Sequence, residues 1–206
     1  MATLHFDSGA LLRSALESDR ADLYRVCLET GDSGADATQM YALREMLGEI
    51  YVGAYLTFDP SFTFALVDDD VSGYVLAAFD TTTYEERFEI DWLPMLLRKY
   101  ASVDPTQFTS EETGLINFMK NPVRTPEAIA KEFPSQIHID IVEKSQGKGY
   151  GKAMMQHLMK ELASAGSPGA HLHMSPTNTR AYNFYLGLGF DLAHKGDNEW
   201  LMTKKF

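Results

Sequence analysis

Apolar positions in this chain recur with two periods, and the switches between them mark out the elements. Leu11–Ala15 reads as a short strand. Over Asp19–Glu29, Leu23, Val26 and Cys27 fall on one side at helical spacing, with Ser18 placed to cap the helix and Gly31-Asp32-Ser33-Gly34 to end it. Cys27 belongs to that stripe, which makes it a core thiol. Gln39–Tyr51 predicts a second helix on the stripe Met40, Leu43, Met46, Leu47 and Ile50. Phe62–Val67 and Gly73–Phe79 are β-branched and aromatic, and Asp68-Asp69-Asp70 between them predicts a hairpin with a solvated turn. Gln136–Val142 alternates, with Ile137, Ile139 and Ile141 on one face and Gln136, His138, Asp140 and Val142 on the other. Tyr150–Ala165 is amphipathic, with Tyr150, Ala153, Met154, Leu158, Leu162 and Ala165 turned inward. Ala170–Met174 reads as a strand. Asn178 then caps a helix carrying Ala181, Phe184, Tyr185 and Leu188, and Phe190–His194 and Glu199–Lys204 close the chain as strands. The order predicts a mixed α/β layer around one sheet.

Thr83–Phe133 breaks this rhythm. Trp92, Pro94, Leu96 and Leu97, followed by Pro105, Pro122 and Pro126, predict helical pieces joined by proline-marked turns. The stretch is too short for a core of its own, so it reads as an insertion (83–133) in a single domain over residues 1–206. A connection this long is expected to be either functional or disordered, and Trp92 with Leu93-Pro94 argues for order. Tyr51, Tyr55, Tyr84 and Trp92 are candidates for the wall of a ligand cleft, with plain hydrophobic packing as the alternative.

Composition narrows the classes. The chain is 45% hydrophobic and 23% charged, which excludes a disordered or fibrous protein. Its apolar runs are far shorter than the ~20 residues of a membrane helix, so no membrane association is expected. Met1–Asp7 has neither a basic start nor an apolar run, and the single cysteine excludes an internal disulfide, so a cytoplasmic protein is expected. The net charge of −11 disfavours nucleic acid and suits a cationic small molecule or basic peptide. Against that background Glu143–Lys152 holds three lysines and three glycines.

A strand, then glycines, then a helix start is a phosphate site in the making. The first N–H groups of a helix are unpaired, the dipole is positive there, and glycine lets an anion approach the backbone. Two common versions fail on spacing. A Walker loop ending at Gly151-Lys152 would need glycine where the chain has Gln146 and a hydroxyl where it has Ala153. A dinucleotide fingerprint from Gly147 and Gly149 would need its last glycine where Lys152 stands. What remains is Gln146-Gly147-Lys148-Gly149-Tyr150-Gly151.

That hexapeptide resembles motif A of the GNAT superfamily of N-acetyltransferases, Q/R-x-x-G-x-G/A. Asn178-Thr179-Arg180-Ala181 through Tyr185, followed by Gly189-Phe190, resembles motif B. Further segments resemble the acetyltransferase-like domain of O-GlcNAcase and its bacterial stand-alone relatives: Tyr51–Leu56, Gly73–Leu76, Asp91–Pro94, Ile139–Ile141 and Gly169–Asn178. Animal versions lose the glycine loop, which is intact here.

The resemblance implies a GNAT fold, with a mixed central sheet, flanking helices and a helical insertion before the motif A strand. It also implies acetyl-coenzyme A as cosubstrate and no metal. The cofactor would lie between Gln136–Val142 and Ala170–Met174, against the backbone of Ile141 and Val142. Its pyrophosphate would sit over Gln146 to Lys152, with charge from Lys148 and Lys152, and Asn178 would lie near the thiol. Tyr185 would protonate the leaving thiolate. Asp140 would take the amine's proton or hold a cationic acceptor, with a histidine as the alternative base. His138, Asp140, His171 and His173 could also suggest a metal, but the splayed strands that the resemblance implies would part them. The expected acceptor is a small-molecule amine or a lysine-containing peptide, and a homodimer is left open. The alternative function is a silent acetyl-coenzyme A-binding or protein-interaction module.

Overall fold

The central sheet is built from eight strands in the order β1-β2-β3-β4-β5-β6-β8-β7 in a computed structural model that describes residues 3–206. Met1 and Ala2, the start of the segment read above for a leader, lie outside the described residues. The sheet opens with β1 (Leu4–His5), β2 (Leu11–Ser14), β3 (Thr63–Asp68) and β4 (Asp70–Ala78). It continues through β5 (Ser135–Ile141) and β6 (Gly169–Met174) and closes with β7 (Asp191–Lys195) and β8 (Trp200–Lys205). Every pairing is antiparallel except β5 with β6. That parallel pair holds register only at Ser135 with Ala170 and Gln136 with His171; beyond Gln136 the strands part. The last hairpin folds back, so β8 adjoins β6 and β7 forms the edge.

Helices cover both faces. On one lie α1 (Arg20–Glu29), α2 (Met46–Gly48) and α3 (Ala54–Phe58), with a π turn, Glu49–Gly53, between the last two. The inserted helices join them: α4 (Thr81–Arg87), a π turn at Phe88–Trp92, α5 (Leu93–Tyr100), α6 (Ser110–Lys120) and α7 (Glu127–Glu132). The other face holds α8 (Tyr150–Ser164) and α9 (Thr179–Gly187). Alternation along the central strands divides the core accordingly. Tyr74, Leu76 and Ala78 of β4 pack with α1 to α6, whereas Val75 and Ala77 pack with α8 and α9. Ile137, Ile139 and Ile141 join the second cluster, so His138 and Asp140 point to the first face.

Three local expectations are corrected. Residues 39–45 are turns rather than helix, because buried Glu112 of α6 accepts from the Leu43 N–H at 2.5 Å and holds that backbone out of a helical ladder. The helix begins at Met46 instead and runs past Tyr51 to Phe58. Ser18 is not the cap of α1. A short 3₁₀ turn, Glu17–Asp19, precedes it, and the Asp19 carboxylate takes the Leu16 N–H at 2.8 Å and the Arg13 guanidinium. The aspartates at the hairpin tip are not merely solvated. Asp69 alone makes the turn, at φ 68°, while Asp68 and Asp70 sit in the strands and pair with Lys148 and Lys144 at 2.8 Å.

The insertion is bolted to α2–α3 through its own π turn. Trp92 donates from Nε1 to the Glu49 carbonyl at 2.8 Å, and the buried Glu49 carboxylate receives Lys99 at 2.5 Å and the Tyr100 hydroxyl. Close packing needs glycine here: a Cβ at Gly53 would meet the Tyr24 hydroxyl at 2.4 Å and Trp92 at 2.6 Å. Tyr55, Tyr84 and Trp92 are therefore core residues, whereas Tyr51 stays at the cleft.

Candidate active site

Where β5 and β6 part, a cavity of about 730 Å³ runs between the two helical faces. Its first end is the glycine loop. Gly147 and Gly149 have φ of 73° and 83°, a region L side chains rarely enter, and a Cβ on either would meet no atom within 4 Å. Gly149 is the N-cap of α8 and no side chain caps it, so the first N–H groups of this 15-residue helix face open space. This concave, uncapped, glycine-lined helix start fits a pyrophosphate. Gly151 packs its Cα side against Phe184 and Ile141, where a Cβ would lie at 3.4–3.5 Å.

The flanking side chains hold the loop's shape. Gln146 donates from Nε2 to the Ile141 carbonyl at 2.7 Å and accepts from Arg180 through Oε1. The clamp ties the end of β5 to the start of α9. Tyr150 is buried, with its hydroxyl 2.6 Å from Ser8 Oγ and its ring on Phe6. Ser145 Oγ and Lys148 Nζ both donate to Asp68 at 2.8 Å. The charge of Lys148 is thus countered by the hairpin tip, whereas Lys152 lines the cavity with no acidic partner among the described residues. Asn178 caps α9, accepting from the Ala181 N–H at 2.9 Å, and also lines the cavity.

Of the two backbone positions expected against the cofactor, the fold brings one to the cleft. The Val142 N–H donates to the Ser72 carbonyl at 2.9 Å and its own carbonyl accepts from Ser145, so both groups are engaged within the protein. Alternation along an antiparallel ladder then turns the N–H groups of Ile139 and Ile141 towards the gap.

The other end of the cavity lies under α1, the 49–53 turn and α6, and is lined by Cys27, Tyr41, Leu47, Tyr51 and Leu115. Asp140 and Tyr185 reach it from opposite sides of the sheet. Tyr185 is buried beside Phe184 and Phe190, and no hydrogen bond among the described residues engages its hydroxyl. Burial, and then the nearby Asp140 charge, push its phenol well above the ordinary value, which keeps it a proton donor. Asp140 accepts the Tyr74 hydroxyl at 2.5 Å and His138 Nε2 at 3.0 Å, both on Oδ2.

Across the gap on β6, His171 and His173 are engaged elsewhere. His171 Nδ1 donates to the Phe133 carbonyl at 2.7 Å, and burial lowers its pKa to about 4. His173 pairs with Glu199, and Thr125 Oγ1 lies 3.2 Å from its Nε2. The sequence reading missed Tyr74, Tyr41, Arg180 and Leu115. The i, i+2 spacing of His138 and Asp140 was the one available signal for a pair; the others depend on register and helix packing.

The family model described as "Acetyltransferase (GNAT) family" matches residues 114–190, the stretch holding β5, the glycine loop, α8 and α9. Protein O-GlcNAcase from Rattus norvegicus and from Mus musculus are each 30% identical over 185 residues, covering 88% of this chain. The chain spans about a fifth of the length of those curated relatives. The crystal structure of SsHAT superposes with a TM-score of 0.85 at 27% identity, covering 95% of this chain and 98% of that one. PaiA N-acetyltransferase from Thermoplasma acidophilum, in complex with coenzyme A, shares the fold at a TM-score of 0.58 and 12% identity, over 96% and 99% of the two chains. With the splayed sheet, the glycine loop and these likenesses together, the chain has the GNAT fold and carries, over residues 114–190, a stretch that matches the GNAT acetyltransferase family.

Proposed function

We propose that the protein is an acetyl-coenzyme A-dependent N-acetyltransferase that passes the acetyl group directly to an amine. The observation that carries the reading is one cavity joining an uncapped glycine-lined helix start to a buried tyrosine and a carboxylate. When bound, acetyl-coenzyme A supplies an acetyl thioester whose C–S bond breaks as the amine forms the new C–N bond. The N–H groups of Gly147 to Lys152 hold the pyrophosphate, and the cleft edge of β5 pairs with the pantetheine arm as an added strand would. Tyr185, kept protonated by burial, gives its proton to the departing sulfur. Asp140 Oδ1, which no hydrogen bond among the described residues engages, takes the proton the amine loses. Solvent then returns a proton to Tyr185 and removes one from Asp140, so the balance closes.

A silent binding module would keep the loop and lose turnover. Calorimetry with acetyl-coenzyme A, followed by thiol release against a panel of amines, separates the two. Micromolar binding with acceptor-dependent thiol release is expected. Absence of binding would overturn the reading, and binding with no acceptor-dependent release would leave the silent module in its place.

A further inference from the structure

His138 has acceptors on both sides. Its Nδ1 lies 3.1 Å from the Tyr51 carbonyl oxygen, which can only accept, so Nδ1 carries a proton. Its Nε2 lies 3.0 Å from Asp140 Oδ2, and that oxygen already receives the Tyr74 hydroxyl at 2.5 Å. As a carboxylate oxygen, Oδ2 accepts both contacts through its lone pairs, which places a proton on Nε2 as well. A ring with both nitrogens protonated is an imidazolium.

We propose that His138 is held as an imidazolium that cancels the charge of Asp140, and that the resulting neutral acceptor end selects a weakly basic primary amine on an aromatic or apolar body over an alkylammonium. The inference rests on the acetyl-transfer reading given above.

The thiol and the phenols facing this pair add no charge. Cys27 of α1 and Tyr74 of β4 are kept neutral by burial, as is Tyr185 of α9. Tyr51, whose ring meets His138 edge-on at 6.3 Å, is an ordinary neutral phenol at pH 7. On β6, His173 turns to Glu199, which spends its carboxylate on that contact. Burial opposes the charge on His138, yet the Asp140 charge and hydrogen bond, with the Tyr51 carbonyl, outweigh it and raise its pKa above the ordinary value.

The consequence for the acceptor is chemical. An alkylammonium with a pKa near that of lysine has roughly one molecule in a thousand neutral at pH 7.4. A site with a free carboxylate could gather the cation and strip its proton. Here Asp140 meets the amine with its charge already balanced by His138, so it draws a cation weakly, while Oδ1 is left for the proton lost on attack. An arylamine, neutral at that pH, needs neither service, and Tyr41, Tyr51, Leu47 and Leu115 offer its ring an apolar bed. His138 is thus a positioning residue: it orients Asp140, fixes the 49–53 turn to β5 and sets the charge.

The experiment has two arms on the purified chain. Coenzyme A binding is measured first by calorimetry, because its absence would overturn the transfer reading itself. Thiol release is then followed with 4-methoxyaniline, phenylalanine amide and Nα-acetyl-lysine methylamide between pH 6 and 9. At pH 7 we expect kcat/KM for the arylamine to exceed that for the lysine derivative by at least about 10-fold. The lysine rate should climb about tenfold per pH unit while the arylamine rate stays flat. His138→Gln leaves Asp140 uncompensated and should shift the preference towards the lysine derivative by about 10-fold, with coenzyme A affinity unchanged. The second arm needs no turnover: ¹⁵N-histidine spectra should show both His138 nitrogens protonated at pH 7, and lose that signature in Asp140→Asn. A neutral His138 at pH 7, or equal use of the lysine derivative by the wild-type chain, overturns the inference while coenzyme A binding still stands.

Discussion

The two ends of the cavity are built in opposite ways. The cofactor end comes from one run of chain, β5 through α8, plus the start of α9, and its chemistry is mostly backbone: positive-φ glycines, an uncapped helix and strand N–H groups. The acceptor end draws Cys27, Tyr41, Tyr51, Leu115 and Asp140 from five separate stretches, and its chemistry is mostly side chain. A backbone site tolerates varied side chains around it as long as the glycines stay. A side-chain site can be retuned by single substitutions. The difference explains why one end carries a readable motif and the other, assembled from distant side chains, does not.

Gly149→Asp should break the first end most severely. A carboxylate about 4 Å from a phosphate costs on the order of 4 kcal/mol at an effective dielectric of ~20, near 10³-fold, and the residue must also hold φ 83°. Coenzyme A titration checks this, and wild-type affinity in the variant would remove the pyrophosphate assignment. Tyr185→Phe keeps the ring against Phe190 and loses the proton, so kcat should fall by roughly 10²-fold or more with cofactor affinity intact. Full activity with every active amine would show that another group is the acid.

Trp92→Ala tests whether the halves are independent. Losing the ring beside Phe58 and the bond to Glu49 should cost about 3 kcal/mol in denaturant melts. Coenzyme A affinity of the folded protein should move less than about twofold, a small effect by the standard of additive distant sites. A collapse of affinity would mean that the acceptor face also shapes the glycine loop.

The pH dependence of stability probes β6, the strand that borders the gap without supplying His171 to either end. The folded-state pKa of His171, about 4, lies below the ordinary 6.5, so the unfolded chain binds more protons between the two. Stability is full above pH 6.5 and falls as pH drops towards 4, by an amount on the order of 3 kcal/mol. Thermal melts across that window should show the fall, and His171→Asn should flatten it. The smallest effect belongs to the hairpin tip. Asp68→Asn retains an acceptor for Ser145 and frees Lys148, so coenzyme A should bind about 2–5-fold tighter at low salt, fading as salt rises. Asp69→Asn, at the tip itself, should change little.

The sequence by itself determined most of the elements and the cofactor end. Period-2 and period-3.6 runs give β5, α8 and the hairpin directly, and Gln146 to Gly151 is local because a strand, a loop and a helix start are consecutive in the chain. The helix expected at 39–51 shows where local pattern stops deciding. Its apolar stripe was real, but Glu112, nearly seventy residues away, captures the Leu43 N–H, and the helix forms later instead. Only tertiary structure set the register that puts Tyr74 opposite Asp140, the parting of β5 from β6, and the reach of Leu115 to the cavity. Only it gave Lys148 to Asp68 and His138 to the Tyr51 carbonyl. Those contacts join residues dozens of positions apart, and each side chain alone satisfies many other partners. Periodicity reports which face of an element is buried; which distant group meets it is fixed only when the elements pack.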